Sequence, residues 1–181
     1  MPTCWDPVIA QGAVWYWACD TNQMVRIDLT TFEQTIVDSG ELTSPLAVDD
    51  ILYAAGPEGV MRLADNGETW QLVGGCCGRI IGLAGGTLWL ANDDALVRVD
   101  PATGTVVATI DLAGAQAMTA GGDVAWFALP EGTAPILRRV HISDNTVLDD
   151  LPVSAIPTEI WAEVWMTDFS ASELWRIDTG G

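Results

Sequence analysis

Lysine is absent from this sequence, and seven arginines and one histidine are its only basic side chains. Twenty-five acidic residues leave a net charge of -18. Nucleic acids and anionic membranes bind cationic surfaces, so we expect neither as a partner. No apolar run approaches the roughly 18 residues that a membrane helix needs, and residues 1–6 show no charged-then-apolar leader. We therefore expect neither membrane insertion nor an export signal in this stretch.

Residues that commonly carry catalysis are also scarce. The sequence contains no GxSxG, HExxH, P-loop or dinucleotide-binding motif. With one histidine and no lysine, general acid–base chemistry would depend on carboxylates alone, so we predict no catalytic residue. The four cysteines have no zinc-site spacing and form no CxxC, which leaves open whether they are paired as disulfides; they are Cys4, Cys19, Cys76 and Cys77.

What the sequence does contain is a repeat. An aromatic residue returns inside an apolar run at intervals of 38, 36, 37 and 39 residues, and five of the seven arginines return downstream at intervals of 36, 36, 41 and 37. The two sets are Trp15, Tyr53, Trp89, Trp126 and Trp165, and Arg26, Arg62, Arg98, Arg139 and Arg176. Two residues after the arginine the repeat most often has Asp, with Ala64 and His141 as exceptions. We expect the aromatics to pack between sheets and the arginines to pair with neighbouring acids.

Each unit consists of short β-rich runs separated by Gly, Asn, Asp and Pro turns, most clearly in IIGLA, TLWLA, ALVRVD and TVVATIDL of the third unit. Four strands in 36 to 41 residues is typical of a propeller blade, and no helical period accompanies the repeat. The sequence predicts one all-β domain over residues 1–181, a β-propeller of five four-stranded blade-like repeats. Their approximate ranges are 7–44, 45–78, 79–114, 115–155, and 156–181 together with 2–5.

The fifth unit ends before a fourth strand. Residues 2–5 stand ahead of the first unit, so we expect Thr3, Cys4 and Trp5 to supply the outer strand of the last blade and to close the ring. The alternatives are a fragment of a larger propeller or two copies that complete each other. A closed ring predicts a monomer, and an open one an oligomer.

The string LWLANDDALVRVDPATGTVVATIDL resembles the repeat of the virginiamycin B lyase-like and NHL-like propellers, and the likeness is strongest in the third unit. The resemblance implies a propeller fold, and it implies lyase activity only with a catalytic histidine and carboxylate-held Mg²⁺. The one histidine, His141, replaces the repeat Asp beside the turn between strands three and four. We therefore expect a structural role for His141 and take only the fold from the resemblance.

Propellers commonly bind ligands on the face formed by the turns between strands two and three. We expect acidic residues of these turns, with a tryptophan near the channel opening, to be the ligand-binding candidates: Asp20, Glu58, Asp93, Asp94, Glu131, Trp161 and Glu173. Clustered carboxylates suit Ca²⁺, and gluconolactonase/regucalcin propellers hold a divalent ion in this way. However, no DxDxDG loop is present, so we predict no metal site and no cofactor, and calcium is the alternative.

We predict a non-catalytic binding, interaction or sensor module with an acidic loop face, whose ligand is a protein, a peptide or a glycan. A calcium-dependent hydrolase or lyase is one alternative, and a lectin-like carbohydrate-binding propeller is the other. The turns differ from unit to unit, which favours one asymmetric site over five equal ones. An extracytoplasmic location, within a larger exported protein, is the expected setting.

Overall fold

A computed structural model describes residues 7–18, 21, 23–65, 67–74, 78–129, 136–152, 159–161, 165–168 and 173–176. The chain divides into two compact units, residues 1–80 with 101–105 and residues 81–100 with 106–181. Every regular element in the described ranges is a strand, as the repeat predicts. No helix capable of crossing a lipid bilayer occurs among these residues.

The first unit contains two four-stranded antiparallel sheets, each with its strands in chain order. The first sheet consists of β1 (Val8–Ala10), β2 (Ala13–Ala18), β3 (Gln23–Asp28) and β4 (Gln34–Val37). The second consists of β5 (Thr43–Val48), β6 (Ile51–Gly56), β7 (Gly59–Leu63) and β8 (Trp70–Gly74). In both sheets the last strand in sequence, β4 or β8, lies at one edge.

The remaining strands, from β9 onward, lie in the second unit, except that the first two residues of β9 belong to the first unit. They form two more four-stranded sheets and one sheet of three described strands. The third sheet is β9 (Arg79–Ala84), β10 (Thr87–Ala91), β11 (Leu96–Val99) and β12 (Val106–Ile110). The fourth is β13 (Ala117–Gly121), β14 (Val124–Leu129), β15 (Ile136–His141) and β16 (Leu151–Pro152), and the fifth is β17 (Glu159–Trp161), β18 (Trp165–Asp168) and β19 (Glu173–Arg176).

Register explains why the aromatic and the arginine recur together. In all five sheets the repeat aromatic on the second strand is the direct cross-strand partner of the repeat arginine on the third. The guanidinium lies over the indole ring at 6.0 Å for Arg26 and Trp15, and at 4.8 Å for Arg98 and Trp89. Such cation–π pairs contribute about 0.5–2 kcal/mol, more where they are shielded from water.

Each unit has its own hydrophobic core, built on one of these tryptophans. Trp15 is fully buried in the first unit, in a cluster that joins Trp17 and Met24 of the first sheet to Leu52 and Leu63 of the second. In the second unit Trp89 packs against Phe127 at 5.3 Å between ring centroids, within a cluster drawn from the third and fourth sheets.

Both indoles also donate a hydrogen bond to the carbonyl five residues earlier, Trp15 to Ala10 and Trp89 to Ala84. A buried indole N–H needs such a partner, so the tryptophan fixes the first strand of its sheet as well as filling the core.

Candidate functional site

The acidic residues predicted to share one face are only partly described by the structure. Glu58 is exposed in the turn between β6 and β7, and Asp93 and Asp94 are exposed in the turn between β10 and β11. The second of these turns is held by Asn92, whose side-chain oxygen accepts the backbone N–H of Asp94 at 3.0 Å. Asp20 and Glu131 lie outside the described residues, as do all four cysteines. Asp93 and Asp94 share this turn because they are adjacent in the sequence.

Trp161 and Glu173 lie at opposite ends of the fifth sheet. Trp161 pairs with Trp165 where β17 leads to β18, and Glu173 pairs with Asp168 where β18 leads to β19. One loop face of this sheet therefore cannot include both residues. Among the described residues no three histidine, cysteine, aspartate or glutamate side chains are close enough to hold a metal ion.

A cleft of about 520 Å³ in the first unit is lined mainly by polar and charged residues. One wall is the edge strand β4, the other is the turn between β7 and β8, and the side chain of Arg26 borders it from β3. Its lining is Gln11, Arg26, Thr35, Ile36, Val37, Asp38, Asp65, Gly67 and Glu68. A second cavity of about 260 Å³ shares Ile36, Val37 and Asp38 and continues past the end of β4. Together they run from Thr35 of β4 to Gly40 beyond its end.

Arg26 is the one cation of this lining, and it is held in place by its own hairpin. Its side chain, 25% exposed, donates to Asp28 at 2.9 Å. Asp28 also accepts the backbone N–H groups of Thr30 at 2.8 Å and Thr31 at 3.1 Å. These two backbone hydrogen bonds, and then the bond from Arg26, lower the pKa of Asp28 to about 2. Asp28 therefore stays ionised through the physiological range.

Gln11 also lines the cleft. Its side-chain amide donates to the carbonyl of Ala64 at 3.3 Å, and its backbone N–H donates to Asp50 at 2.6 Å. Within the described part of the chain its Oε1 is buried and accepts no hydrogen bond. Because that oxygen is buried, the hydrogen-bonding group that the cleft presents most clearly is the guanidinium of Arg26.

In the second unit, the space beside the equivalent arginine, Arg98, is filled by hydrogen-bond acceptors. The guanidinium of Arg98 donates to the carbonyl of Ile142 at 2.5 Å and to Oδ1 of Asn145 at 2.6 Å, and its Nε donates to Thr87 at 3.1 Å. Arg98 is only 6% exposed. Ile142 and Asn145 stand one and four residues after the repeat position His141, in the turn between β15 and β16.

The residues one and four after the corresponding Ala64 are Asp65 and Glu68, and both line the cleft. Where Arg98 is closed by a carbonyl and an amide oxygen, Arg26 therefore faces an open space with carboxylates opposite. This cleft was not among the candidates predicted from the sequence, which lie mainly in the turns between strands two and three. The repeat gave no clear signal for it, because the acceptor that Ile142 supplies to Arg98 is a backbone carbonyl, which every residue has.

Comparison with solved structures identifies the fold. A structure of the hydrazine synthase of Kuenenia stuttgartiensis matches with a TM-score of 0.65 and 13% identity over 81% of this chain and 48% of that chain. A structure of a nidogen/laminin complex matches at 0.66 and 12%, over 93% of this chain and 72% of that chain. A calcium-binding regucalcin from Agrobacterium tumefaciens matches at 0.64 and 12%, over 96% and 70%.

Matched structures that include the nidogen/laminin complex and regucalcin are β-propeller-type folds, so this chain has a fold of that type. It spans about half the length of the hydrazine synthase chain. At these identities the likeness shows the fold alone. No protein-family model matches the sequence, and no curated protein does.

The depressed pKa of Asp28 gives a pH prediction. A carboxyl whose folded pKa lies below its unfolded value stabilises the folded state above about pH 3.8 and loses that contribution as pH falls through about 2. Asp28→Asn keeps an oxygen for the Thr30 and Thr31 amides but carries no charge. We expect the unfolding free energy of this variant to fall less than that of the wild type between pH 5 and pH 2, in urea titrations at each pH. Parallel pH profiles of the two proteins would contradict the assignment.

Proposed function

We propose that this chain is a non-catalytic binding module that holds an extended polypeptide segment in the cleft beside Arg26. The observation that carries the proposal is the contrast between two equivalent arginines. A peptide carbonyl and a side-chain amide oxygen of the same chain close the space beside Arg98, whereas the space beside Arg26 is an open cleft of about 520 Å³. A peptide from a partner supplies the same kind of acceptor.

The lining suits a peptide backbone. Each peptide group presents one C=O, and the partly exposed guanidinium of Arg26 is a donor for it. The wall itself is an edge strand, β4, so a segment that lies along it can also form main-chain hydrogen bonds with it. Specificity would then come from side chains that alternate between the two sides of the added strand.

The charges around the cleft also restrict which ligands it would bind. The charge of Arg26 is balanced by Asp28, and Asp65 pairs with Arg62 at 3.4 Å. Asp38 and Glu68 add negative charge to the walls. The whole chain carries -18. A segment with Lys or Arg side chains is therefore favoured over an acidic one, and it would associate faster at low ionic strength. Among protein, peptide and glycan, the cleft favours the peptide.

The finer features of the fold belong to the same proposal. We propose five blade-like repeats of the virginiamycin B lyase-like or NHL-like kind, with residues 2–5 as the outer strand of the last. The support is the repeat itself, because all five described sheets pair the repeat aromatic with the repeat arginine.

The test is a selection of peptides from a phage-displayed library of random sequences on the immobilised chain, followed by fluorescence anisotropy with the synthesised peptides. We expect the selected peptides to be rich in Lys and Arg and to bind Arg26→Met at least about tenfold more weakly than the wild type. Arg139→Met is the matched control, since Arg139 occupies the same repeat position over Trp126 in the second unit and lies outside the cleft.

Two outcomes would contradict the proposal. One is a selection that yields no binding peptide, and the other is a set of peptides that bind Arg26→Met as tightly as Arg139→Met. Selections run in parallel in EDTA and in millimolar Ca²⁺ test the alternative. Binding that requires calcium would favour a metal-dependent site over the cleft.

A further inference from the structure

One aromatic side chain is placed against its backbone preference. In three hairpins the residue four positions after the repeat Asp or His has a positive φ, 59° at Phe32, 70° at Gly104 and 63° at Asn145. Glycine and asparagine tolerate this left-handed conformation, whereas a bulky aromatic rarely adopts it. The first repeat therefore has phenylalanine where the backbone favours glycine.

The Phe32 ring is not part of the hydrophobic core. Phe32 is 76% exposed, and Leu29 in the same turn is also exposed. The turn that carries them is closely held, because the backbone N–H of Phe32 donates to the carbonyl of Asp28 at 2.9 Å and that of Asp28 donates to Glu33 at 3.0 Å. Asn145 and His141 form the same bond at 2.9 Å. A strained residue that stabilises no internal packing indicates a role outside the fold.

Phe32 does not line the cleft itself, but it lies just before the strand that forms one wall of the cleft. Phe32 lies two residues before β4, and Thr35, Ile36 and Val37 of that strand line the cleft. Asp28 bonds both to Arg26 at the cleft and to the N–H groups of the turn. A ligand strand that runs along β4 therefore reaches the turn at one end.

We infer that Phe32 is the apolar anchor of the ligand surface, and that the bound segment places an apolar side chain on the Phe32 ring at the end of the strand it adds to β4. The inference rests on the proposed peptide-binding function and specifies its ligand. Because the turn is already ordered, little conformational entropy is lost when the ring is covered, which is the property of a good hot spot.

The experiment uses Phe32→Gly and Phe32→Asn, both suited to the left-handed conformation, with Val107→Asn as the control, because Val107 is an exposed apolar residue on β12, outside the cleft. We expect the two Phe32 variants to melt about 2–5 °C above the wild type because the strain is relieved. The same variants should bind the selected peptides about tenfold more weakly. Val107→Asn should leave the affinity unchanged.

If Phe32 is an anchor, its replacement raises the melting temperature but weakens peptide binding. If Phe32 is a structural residue, its replacement lowers the melting temperature. A lower melting temperature in both Phe32 variants would show that the ring supports the fold, and would overturn the inference. Unchanged peptide affinity in the Phe32 variants, with loss in Arg26→Met, would overturn the anchor and leave the cleft. If no peptide is selected at all, the proposed function and the anchor fail together.

Discussion

Replacing Arg98 with methionine should lower the free energy of unfolding by about 3 kcal/mol. The side chain is buried, and its guanidinium hydrogen bonds to the Ile142 carbonyl, to Asn145 and to Thr87. Methionine fills much of the same volume over Trp89 but donates nothing, so these acceptors would be left without their donor. Burial lowers the pKa of Arg98 from its ordinary value, but an arginine pKa is so high that the group stays charged.

Arg26→Met is the control, because it makes the same change at the same repeat position. The side chains of Arg26 and Asp28, which form an ion pair, are each about a quarter exposed. Pairs of this kind contribute at most about 1 kcal/mol. Thermal or urea unfolding of both variants measures the difference, which corresponds to roughly 6–12 °C for Arg98→Met. Equal losses at the two positions would show that Arg98 is not the closing contact described above.

Gly104→Ala should cost about 2–4 kcal/mol, the sum of left-handed strain and overpacking. Gly104 has φ 70°, and a Cβ added there would overlap the carbonyl oxygen of Val73 and lie 2.8 Å from Cα of Gly74. These neighbours are backbone of the β8 strand, which cannot move aside as a flexible side chain can. Residues 101–105 pack with the first unit, so the clash would separate this turn from β8.

The matched control is Gly114→Ala. Gly114 has a similar φ of 75°, but an added Cβ there meets nothing within 4 Å. It should therefore show the strain alone, about 1 kcal/mol. Urea midpoints with a common slope separate the two contributions. If the two alanine variants lose the same stability, the close approach of Gly104 to Val73 is absent in solution.

Much of the local structure could be predicted from the sequence. The runs around Trp15 and Arg26 became β2 and β3, and their cross-strand pairing repeats in every sheet, because strand formation and hairpin turns depend on residues close in the chain. The all-β class and the four-stranded units follow from the same pattern.

The candidate site could not be found in this way. The turns with Glu58, Asp93 and Asp94 were predicted to bind a ligand because they are acidic. These side chains are exposed, and among the described residues no three His, Cys, Asp or Glu side chains are close enough to hold a metal ion. Phe32 was not among the candidates, since a single aromatic residue is not unusual in composition. Its significance depends on its exposure and its positive φ, which are properties of the folded chain.

Arg26 and Arg98 show where local information ends. Each stands in an RID or RVD triplet, beside a tryptophan on the preceding strand, and the sequence alone makes them equivalent. The acceptors that close Arg98 come from residues 44 and 47 positions away, while the residues across from Arg26 are Asp65 and Glu68. Short-range propensity and turn chemistry decided the strands and their pairing. Contacts between sheets, which only tertiary packing creates, decided which arginine is a buried clamp and which one borders an open cleft.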